Sequence, residues 1–182
     1  MEIIVVSDTN ILIDLIETGL LEQFFLLPMK VHTTDIVISE VTVPEQKAQV
    51  KTLVQTRCLT VKAFAPDEML RLIDFVNSRR RRCNLRIADF SVWQYASENN
   101  YILLTGDGNL RKLAAEDGVE VHGTIYIFDQ MVEHKVLTPA IAADRLELLY
   151  NIFPSQRLIF VSKNGAAVYK KMEGMCMHKI RL

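Results

Sequence analysis

Short runs of apolar residues alternate with longer segments of helical periodicity along this 182-residue chain. The first run, Ile3 to Val6, contains four consecutive β-branched residues, which is typical of a strand buried on both faces of a parallel sheet. Runs at Tyr101–Thr105 and Val119–Val121 predict two further strands of the same kind. Strands that alternate with helices predict an α/β sandwich with a mainly parallel central sheet.

The rest of the pattern predicts the helices and two weaker extended pieces. Helices are expected at Ile11–Glu17, Leu20–Leu27, Ile36–Val43, Gln46–Thr56, Asp67–Arg80, Leu85–Asn99, Leu110–Glu116, Thr124–Glu133 and Pro139–Tyr150, and extended pieces at Lys30–Thr33 and Cys58–Lys62. Beyond Pro154 the pattern is least regular and predicts a strand at Arg157–Ser162 followed by a basic tail. We therefore expect one domain over residues 1–150, with an extension over residues 151–182 that packs on or beside it.

The composition narrows the class of protein. Apolar residues make up 49% of the chain and charged residues 24%, as in ordinary globular proteins. The apolar runs are too short to span a membrane, and Met1-Glu2 leaves no room for a signal peptide before the first strand. Three cysteines without paired spacing predict a reducing, cytoplasmic setting, and neither they nor the four histidines have metal-site spacing. Because the formal net charge is −1, a nucleic-acid-binding surface would have to be local.

Four acidic residues are expected to have their carboxylates next to apolar residues of the fold. Asp8 and Asp107 each follow a predicted strand, at the carboxyl edge where open α/β sheets bind ligands. Glu40 and Asp89 fall within the apolar stripes of their predicted helices and are expected to project inward. Asp14 lies off the stripe of its own helix and is expected to be solvated.

Taken together, these acids favour a metal site. Any single one is explained by a salt bridge to an arginine or by a helix cap. An ionised carboxylate that faces an apolar interior is costly unless it is paired or binds a metal, and the pattern offers no matching buried cation. Four clustered carboxylates repel one another, and the usual remedy is a divalent cation that prefers oxygen ligands, Mg²⁺ or Mn²⁺.

The segments that carry the four acids resemble, in order, the motifs of the PIN-domain nucleases, a family that includes the VapC-type toxins. These segments are Asp8-Thr9-Asn10, Ile38-Ser39-Glu40-Val41, Ala88-Asp89 and Leu104-Thr105-Gly106-Asp107. The stretch from Leu103 to Gly123 is similar to the closing half of such domains, and the resemblance covers residues 3 to 150. It implies a three-layer α/β/α fold with a parallel sheet and an acidic metal site at the strand carboxyl ends.

The resemblance also implies roles for individual residues. The family's metal-binding and catalytic acids carry over onto Asp8, Glu40, Asp89 and Asp107. Asn10 and Thr105 match positions that orient carboxylates and waters. Family members often have one more acid, which here is Asn109; an amide supplies less negative charge, so the resemblance leaves open whether one or two metal ions bind.

The activity implied by the resemblance is hydrolysis of RNA phosphodiester bonds that depends on Mg²⁺ or Mn²⁺, without a covalent protein intermediate. It further implies the toxin of a type II toxin–antitoxin pair, with an antitoxin protein as partner, and a homodimer that uses apolar helices such as Leu20–Leu27. Target RNA and cleavage position do not follow from the motifs.

A cluster of arginines precedes the helix that carries Asp89. It consists of Arg79, Arg80, Arg81, Arg82 and Arg86. These cations would suit the backbone phosphates of RNA near the metal, and equally they fit a solvated basic surface or a site for an acidic partner segment. Trp93, in the following helix, is expected in the core or at a subunit interface, because no aromatic platform for stacking bases surrounds it.

Three alternatives to a nuclease are open to test. A phosphatase of the haloacid-dehalogenase type needs a second aspartate where Asn10 stands, and the residue set of a receiver domain cannot be placed. The third alternative is a PIN-like fold that serves as an RNA-binding or protein-interaction module. Asn109 favours this module, whereas four intact and mutually repelling acids argue against it.

Overall fold

A single parallel sheet organises the described part of the chain, which in this computed structural model comprises residues 3–79 and 84–152. Its strands are β1 (Ile3–Ser7), β2 (Met29–Thr34), β3 (Leu59–Lys62), β4 (Ile102–Leu104) and β5 (Val121–His122). Their order is β3-β2-β1-β4-β5, and every neighbouring pair is parallel. The predicted α/β/α class with a parallel central sheet is confirmed. The strand and tail expected beyond Pro154 lie outside the described residues.

Helices connect these strands. They are α1 (Thr9–Glu17), α2 (Leu21–Phe24), α3 (Asp35–Glu40), α4 (Pro44–Gln55), α5 (Pro66–Arg79), α6 (Ile87–Asn99), α7 (Gly108–Glu116), α8 (Thr124–Glu133) and α9 (Pro139–Ile152). Several predicted bounds were wrong: α2 is a single turn, α3 stops at Glu40 instead of continuing to Val43, and β5 covers Val121–His122 instead of Val119–Val121. Pro44 begins α4, because the first helical position requires no backbone N–H. None of the helices within the described ranges combines the length and apolar character needed to cross a lipid bilayer.

The contacts divide the chain into two compact units. One comprises the residues up to Ile13 together with Pro28–Thr124, and it holds all five strands. The other comprises Asp14–Leu27 and, of the described residues, 125–152, so that it includes α2 and α9. The expected domain boundary after residue 150 stays a prediction.

The core of the sheet-containing unit is built around α6, which packs on β1, β2 and β4. Trp93 is 2% exposed; its ring is stacked on Phe90 with centroids 5.9 Å apart and meets the ring of Phe75 edge-on at 5.2 Å. Burial of each such ring contributes on the order of 2–3 kcal/mol. The expectation that Trp93 belongs to the core is therefore confirmed.

Asp14 corrects one expectation, since it is 1% exposed and not solvated. Its helix α1 buries most of its circumference, including Ile11, Leu12 and Leu15 at 0% exposure. The prediction assumed that the helix face opposite the apolar stripe is exposed to solvent. In α1 only Glu17, the last residue, is exposed, so Asp14 is buried as well.

The parallel arrangement brings the carboxyl ends of three strands together. The Asp8 N–H donates to the Leu104 carbonyl over 3.1 Å, and the Thr105 N–H donates to the His122 carbonyl over 2.9 Å. The residues that follow β1, β4 and β5 therefore lie side by side along one edge, which we call the carboxyl edge.

Candidate active site

Asp8 lies between β1 and α1 and is 2% exposed. Its Oδ1 accepts a hydrogen bond from the Ile11 N–H over 2.9 Å, so the carboxylate caps the start of α1. Its Oδ2 accepts a hydrogen bond from Thr105 Oγ1 over 2.5 Å. The side chain is thus fixed by its own helix and by the neighbouring strand end.

Thr105 connects Asp8 with a second acid. The hydroxyl that donates to Asp8 also accepts the backbone N–H of Asp107 over 3.1 Å. Asp107 in turn caps α7: its Oδ1 accepts the N–H groups of Asn109 over 2.7 Å and Leu110 over 2.8 Å. Since Thr105 is fully buried, this contact holds both strand ends in one arrangement. These bonds are what an orienting role for Thr105 requires.

Glu40, at the end of α3, is held by two partners. Thr9 Oγ1 donates to its Oε2 over 3.2 Å, and Arg86 Nη1 lies 3.4 Å from its Oε1. The backbone N–H of Arg86 also donates to Asp89 Oδ2 over 2.8 Å at the start of α6. Arg86 therefore contacts two of the four acids. Thr9 was not singled out by the sequence, although it stands directly beside Asp8 in the first motif.

The charge state of Asp89 shows how the acids interact. Burial raises the pKa of Asp89 above its ordinary value, and the negative charges of Asp107 and Glu40 raise it further. The backbone N–H and the guanidinium of Arg86 oppose this rise. Glu40 and Asp107 therefore each lie within electrostatic reach of Asp89, while the Thr105 hydroxyl contacts both Asp8 and the backbone of Asp107.

Asn10 and Asn109 have less defined surroundings than Thr105. A Cβ placed on Gly106 would lie 3.5 Å from the Asn10 Cβ, so Asn10 lies against the loop after β4. Asn109 is exposed in the first turn of α7, where its backbone bonds to Asp107. Both residues are close to the acids along the chain, and their side-chain roles remain predictions.

The predicted basic cluster is divided by the structure. Arg79 Nη2 lies 2.7 Å from Asp117 Oδ2, and the Arg79 guanidinium lies 3.8 Å from the centre of the Phe75 ring. This side chain is therefore held by Asp117 and Phe75. Arg86 is at the acids and pairs with Glu40. Residues 80–82 lie outside the described residues.

Comparison with known proteins identifies the family. A family model described as PIN domain matches residues 4–152. The chain belongs to the PIN-domain family. None of the curated protein sequences matches it.

Two solved structures are similar to this PIN domain. A PilT N-terminus domain protein from the hyperthermophilic archaeon Sulfolobus solfataricus is 16% identical, with a TM-score of 0.45 over 72% of this chain and 96% of the other. A domain of a functionally unknown protein from Methanocaldococcus jannaschii is 20% identical, with a TM-score of 0.45 over 66% of this chain and 89% of the other.

Each acid of this PIN domain also has an ordinary structural partner. Asp8, Asp89 and Asp107 accept backbone N–H groups at the starts of three helices, and Glu40 pairs with Arg86. The pattern offered no matching buried cation, and the cation that the structure places at Glu40, Arg86, is an exposed one. The sequence pattern did not show it because Arg86 is 61% exposed and precedes the helix, outside any apolar stripe.

The donor set fits a divalent metal by its chemistry. All four side chains offer carboxylate oxygen, the ligand type of Mg²⁺ and Mn²⁺. Within the described ranges, no three His, Cys, Asp or Glu side chains are gathered closely enough to hold an ion by themselves. Mg²⁺ needs only one or two carboxylates because it keeps several waters. The charge that raises the pKa of Asp89 is also what a cation would neutralise.

Proposed function

We propose that this PIN domain is an endoribonuclease that hydrolyses RNA phosphodiester bonds with Mg²⁺ or Mn²⁺. Its catalytic and metal-binding acids are Asp8, Glu40, Asp89 and Asp107. The proposal is supported above all by the hydroxyl of Thr105, which donates to Asp8 and accepts the backbone N–H of Asp107 at the carboxyl edge. PIN domains are generally nucleases and usually depend on a divalent metal.

The chain's own residues prepare this chemistry. A divalent cation bound by the carboxylates supplies an acidified water and a positive charge for the phosphate. Thr105 fixes one oxygen of Asp8, and Thr9 fixes one oxygen of Glu40, so both carboxylates are oriented before substrate binds. Burial of Asp8 and Asp89 excludes water around the charges and strengthens their interactions.

The same proposal includes a biological setting. We assign this protein the role of the toxin in a toxin–antitoxin pair, with RNA as substrate, an antitoxin protein as partner and the cytoplasm as location. A homodimer is supported by apolar residues exposed on the unit that contains α2, where Leu26 is 71% exposed. Removal of the antitoxin is expected to release ribonuclease activity.

A second candidate function rests on a different observation. Because every acid caps a helix or pairs with Arg86, the acids are explained without catalysis, and Asn109 replaces a further acid of the family motif. A binding module for RNA or protein would have the same contacts. It would bind RNA without cutting it.

Calorimetric titration with Mn²⁺, combined with RNA cleavage on the same preparations, tests the proposal. We expect Asp8→Asn and Asp89→Asn to abolish cleavage while leaving the fold intact, since each removes a charge but little volume. Asp67→Asn is the matched control, because Asp67 is 72% exposed on α5, where it pairs with Arg71. Full activity in Asp8→Asn would remove Asp8 from the site. RNA binding without Mn²⁺ binding or cleavage in the wild type would establish the binding module instead.

A further inference from the structure

The backbone conformation of Gly123 does not require glycine, but the space around it does. Its φ lies outside the positive range that favours glycine, unlike Gly19 and Gly118 with φ of 66° and 83°. A Cβ at Gly123 would instead lie 2.7 Å from Nη1 of Arg111 and 3.6 Å from its Cζ. Real Cβ contacts of 2.7 Å do not occur, so the missing side chain makes room for the guanidinium of Arg111.

The contact places Arg111 at the carboxyl edge. Gly123 directly follows β5, and the same added Cβ would lie 3.6 Å from the carbonyl oxygen of Thr105. Thr105 is the residue that donates to Asp8 and accepts the N–H of Asp107. The guanidinium is therefore next to the loop that carries Asp107 and that contacts Asp8 through Thr105.

No acid among residues 3–79 and 84–152 accounts for this position of Arg111. Arg111 is the fourth residue of α7, near the positive end of the helix dipole, where a cation is not favoured. Asp107, four residues earlier, could pair with it, but its Oδ1 instead accepts two backbone N–H groups. None of the ion pairs between described residues involves Arg111. A half-buried cation held in this way is suited to an anion from outside the chain.

Two other arginines whose surroundings the structure describes, Arg79 and Arg86, are already engaged. Arg79 pairs with Asp117, and Arg86 pairs with Glu40. Arg111 therefore differs from them: its guanidinium lies against a glycine at the carboxyl edge and forms none of the ion pairs between described residues. The planar guanidinium can bind two oxygens of one phosphate at once.

We propose that Arg111, seated against Gly123, binds a backbone phosphate of the RNA beside the proposed catalytic acids. This inference rests on the proposed function, because it assumes that RNA occupies the carboxyl edge. A phosphate contact positions the strand and reads no sequence, so the effect of losing it is the same for all RNA sequences.

Equilibrium binding of a fluorescein-labelled, mixed-sequence single-stranded RNA in EDTA tests the proposal, because binding is then measured without cleavage. We expect Arg111→Gln to weaken binding roughly three- to tenfold, and to reduce the slope of log affinity against log salt by about 0.7, the value for one phosphate contact on a single strand. Lys112→Gln is the matched control. It removes one positive charge from the neighbouring residue, which is 75% exposed and faces Glu116.

Gly123→Ala provides an independent variant. The added methyl displaces the guanidinium, so it should weaken binding like Arg111→Gln, and the double variant should bind no more weakly than Arg111→Gln alone. Circular dichroism melting checks that each variant is folded. Arg111→Lys should recover part of the affinity, since it keeps the charge but not the paired donors.

The outcomes separate this inference from the proposed function. RNA affinity and salt slope in Arg111→Gln equal to those of Lys112→Gln would overturn the role of Arg111, even if the wild type cleaves RNA with Mn²⁺. Absence of RNA binding in the wild type would overturn it as well. Weaker RNA binding by Arg111→Gln, without metal-dependent cleavage by the wild type, would support phosphate binding by Arg111 and would overturn the proposed nuclease activity.

Discussion

The hydroxyl of Thr105 is the contact whose loss can be worked out most directly from the structure. In Thr105→Val the side chain keeps its shape but no longer donates to Asp8 Oδ2 or accepts the Asp107 N–H. A hydrogen bond to a charged group contributes about 1.5–3 kcal/mol, and the N–H left without a partner costs about 1 kcal/mol more. We expect the free energy of unfolding to fall by about 3 kcal/mol. For a chain of this size this lowers the Tm by roughly 6–12 °C.

Thr33 offers a matched control for this substitution. It is also fully buried, and its hydroxyl donates over 2.8 Å to the neutral carbonyl of Ser7. Thr33→Val should cost only about 0.5–1.5 kcal/mol, because the lost bond has an uncharged acceptor. Thr105→Ser, which keeps the hydroxyl, should cost about 0.8 kcal/mol for one lost methyl group.

Urea denaturation followed by circular dichroism measures these differences, with Mn²⁺ affinity measured on the same samples. Because Asp8 loses an orienting partner, we expect Thr105→Val to bind Mn²⁺ about 10–100-fold more weakly, and Thr33→Val to bind it as the wild type does. If Thr105→Val and Thr33→Val are equally destabilised, or Thr105→Ser loses as much as Thr105→Val, the reasoning is refuted.

Two further predictions concern Asp89 and Arg79. Because burial raises the pKa of Asp89, the carboxyl of Asp89 binds its proton more tightly in the folded protein than in the unfolded chain. Ionisation of Asp89 therefore lowers the free energy of unfolding as the pH rises from 3.8 through the raised pKa. Asp89→Asn should therefore be more stable than the wild type at pH 7. Urea titrations at pH 7 and below pH 3.8 should show that this gain in stability disappears in acid. An equal difference in stability at the two pH values would contradict the prediction. Arg79→Gln should lower the free energy of unfolding by about 1–2 kcal/mol, since the guanidinium loses its stacking on Phe75 and its pairing with Asp117. The RNA affinity of Arg79→Gln should equal that of the wild type. A loss of RNA affinity as large as that of Arg111→Gln would instead show that Arg79 contacts RNA.

The sequence predicted the sheet better than the helix ends. Runs of β-branched residues mark β1 and β4 because parallel strands are buried on both faces. Prediction of helix ends from short sequence signals fails where one residue type is favoured at two different positions. Pro44 ends one predicted helix but in the structure begins the next, because it suits both positions.

The sequence placed Asp8 and Asp107 after strand ends and Asp89 on a buried helix face, as the structure has them, but the partners of the acids were not foreseeable. Arg86 approaches Glu40 from another element, and no pattern within either segment encodes that distance. Thr9 reaches Glu40 across 31 positions of the chain for the same reason. Arg111 was missed because its signal is a glycine twelve residues later, whose meaning depends on the packing between β5 and α7.

The helix caps also bear on how such a protein would change over evolutionary time. Asn is about as good an N-cap as Asp, whereas Ala costs about 1 kcal/mol at that position. In a lineage that no longer needs catalysis, selection for folding alone would still retain a polar residue at Asp8 and Asp107. Activity would then be lost through single-step changes from Asp to Asn that hardly disturb the scaffold. Descendants that have lost catalysis should therefore carry amides in place of Asp8 and Asp107.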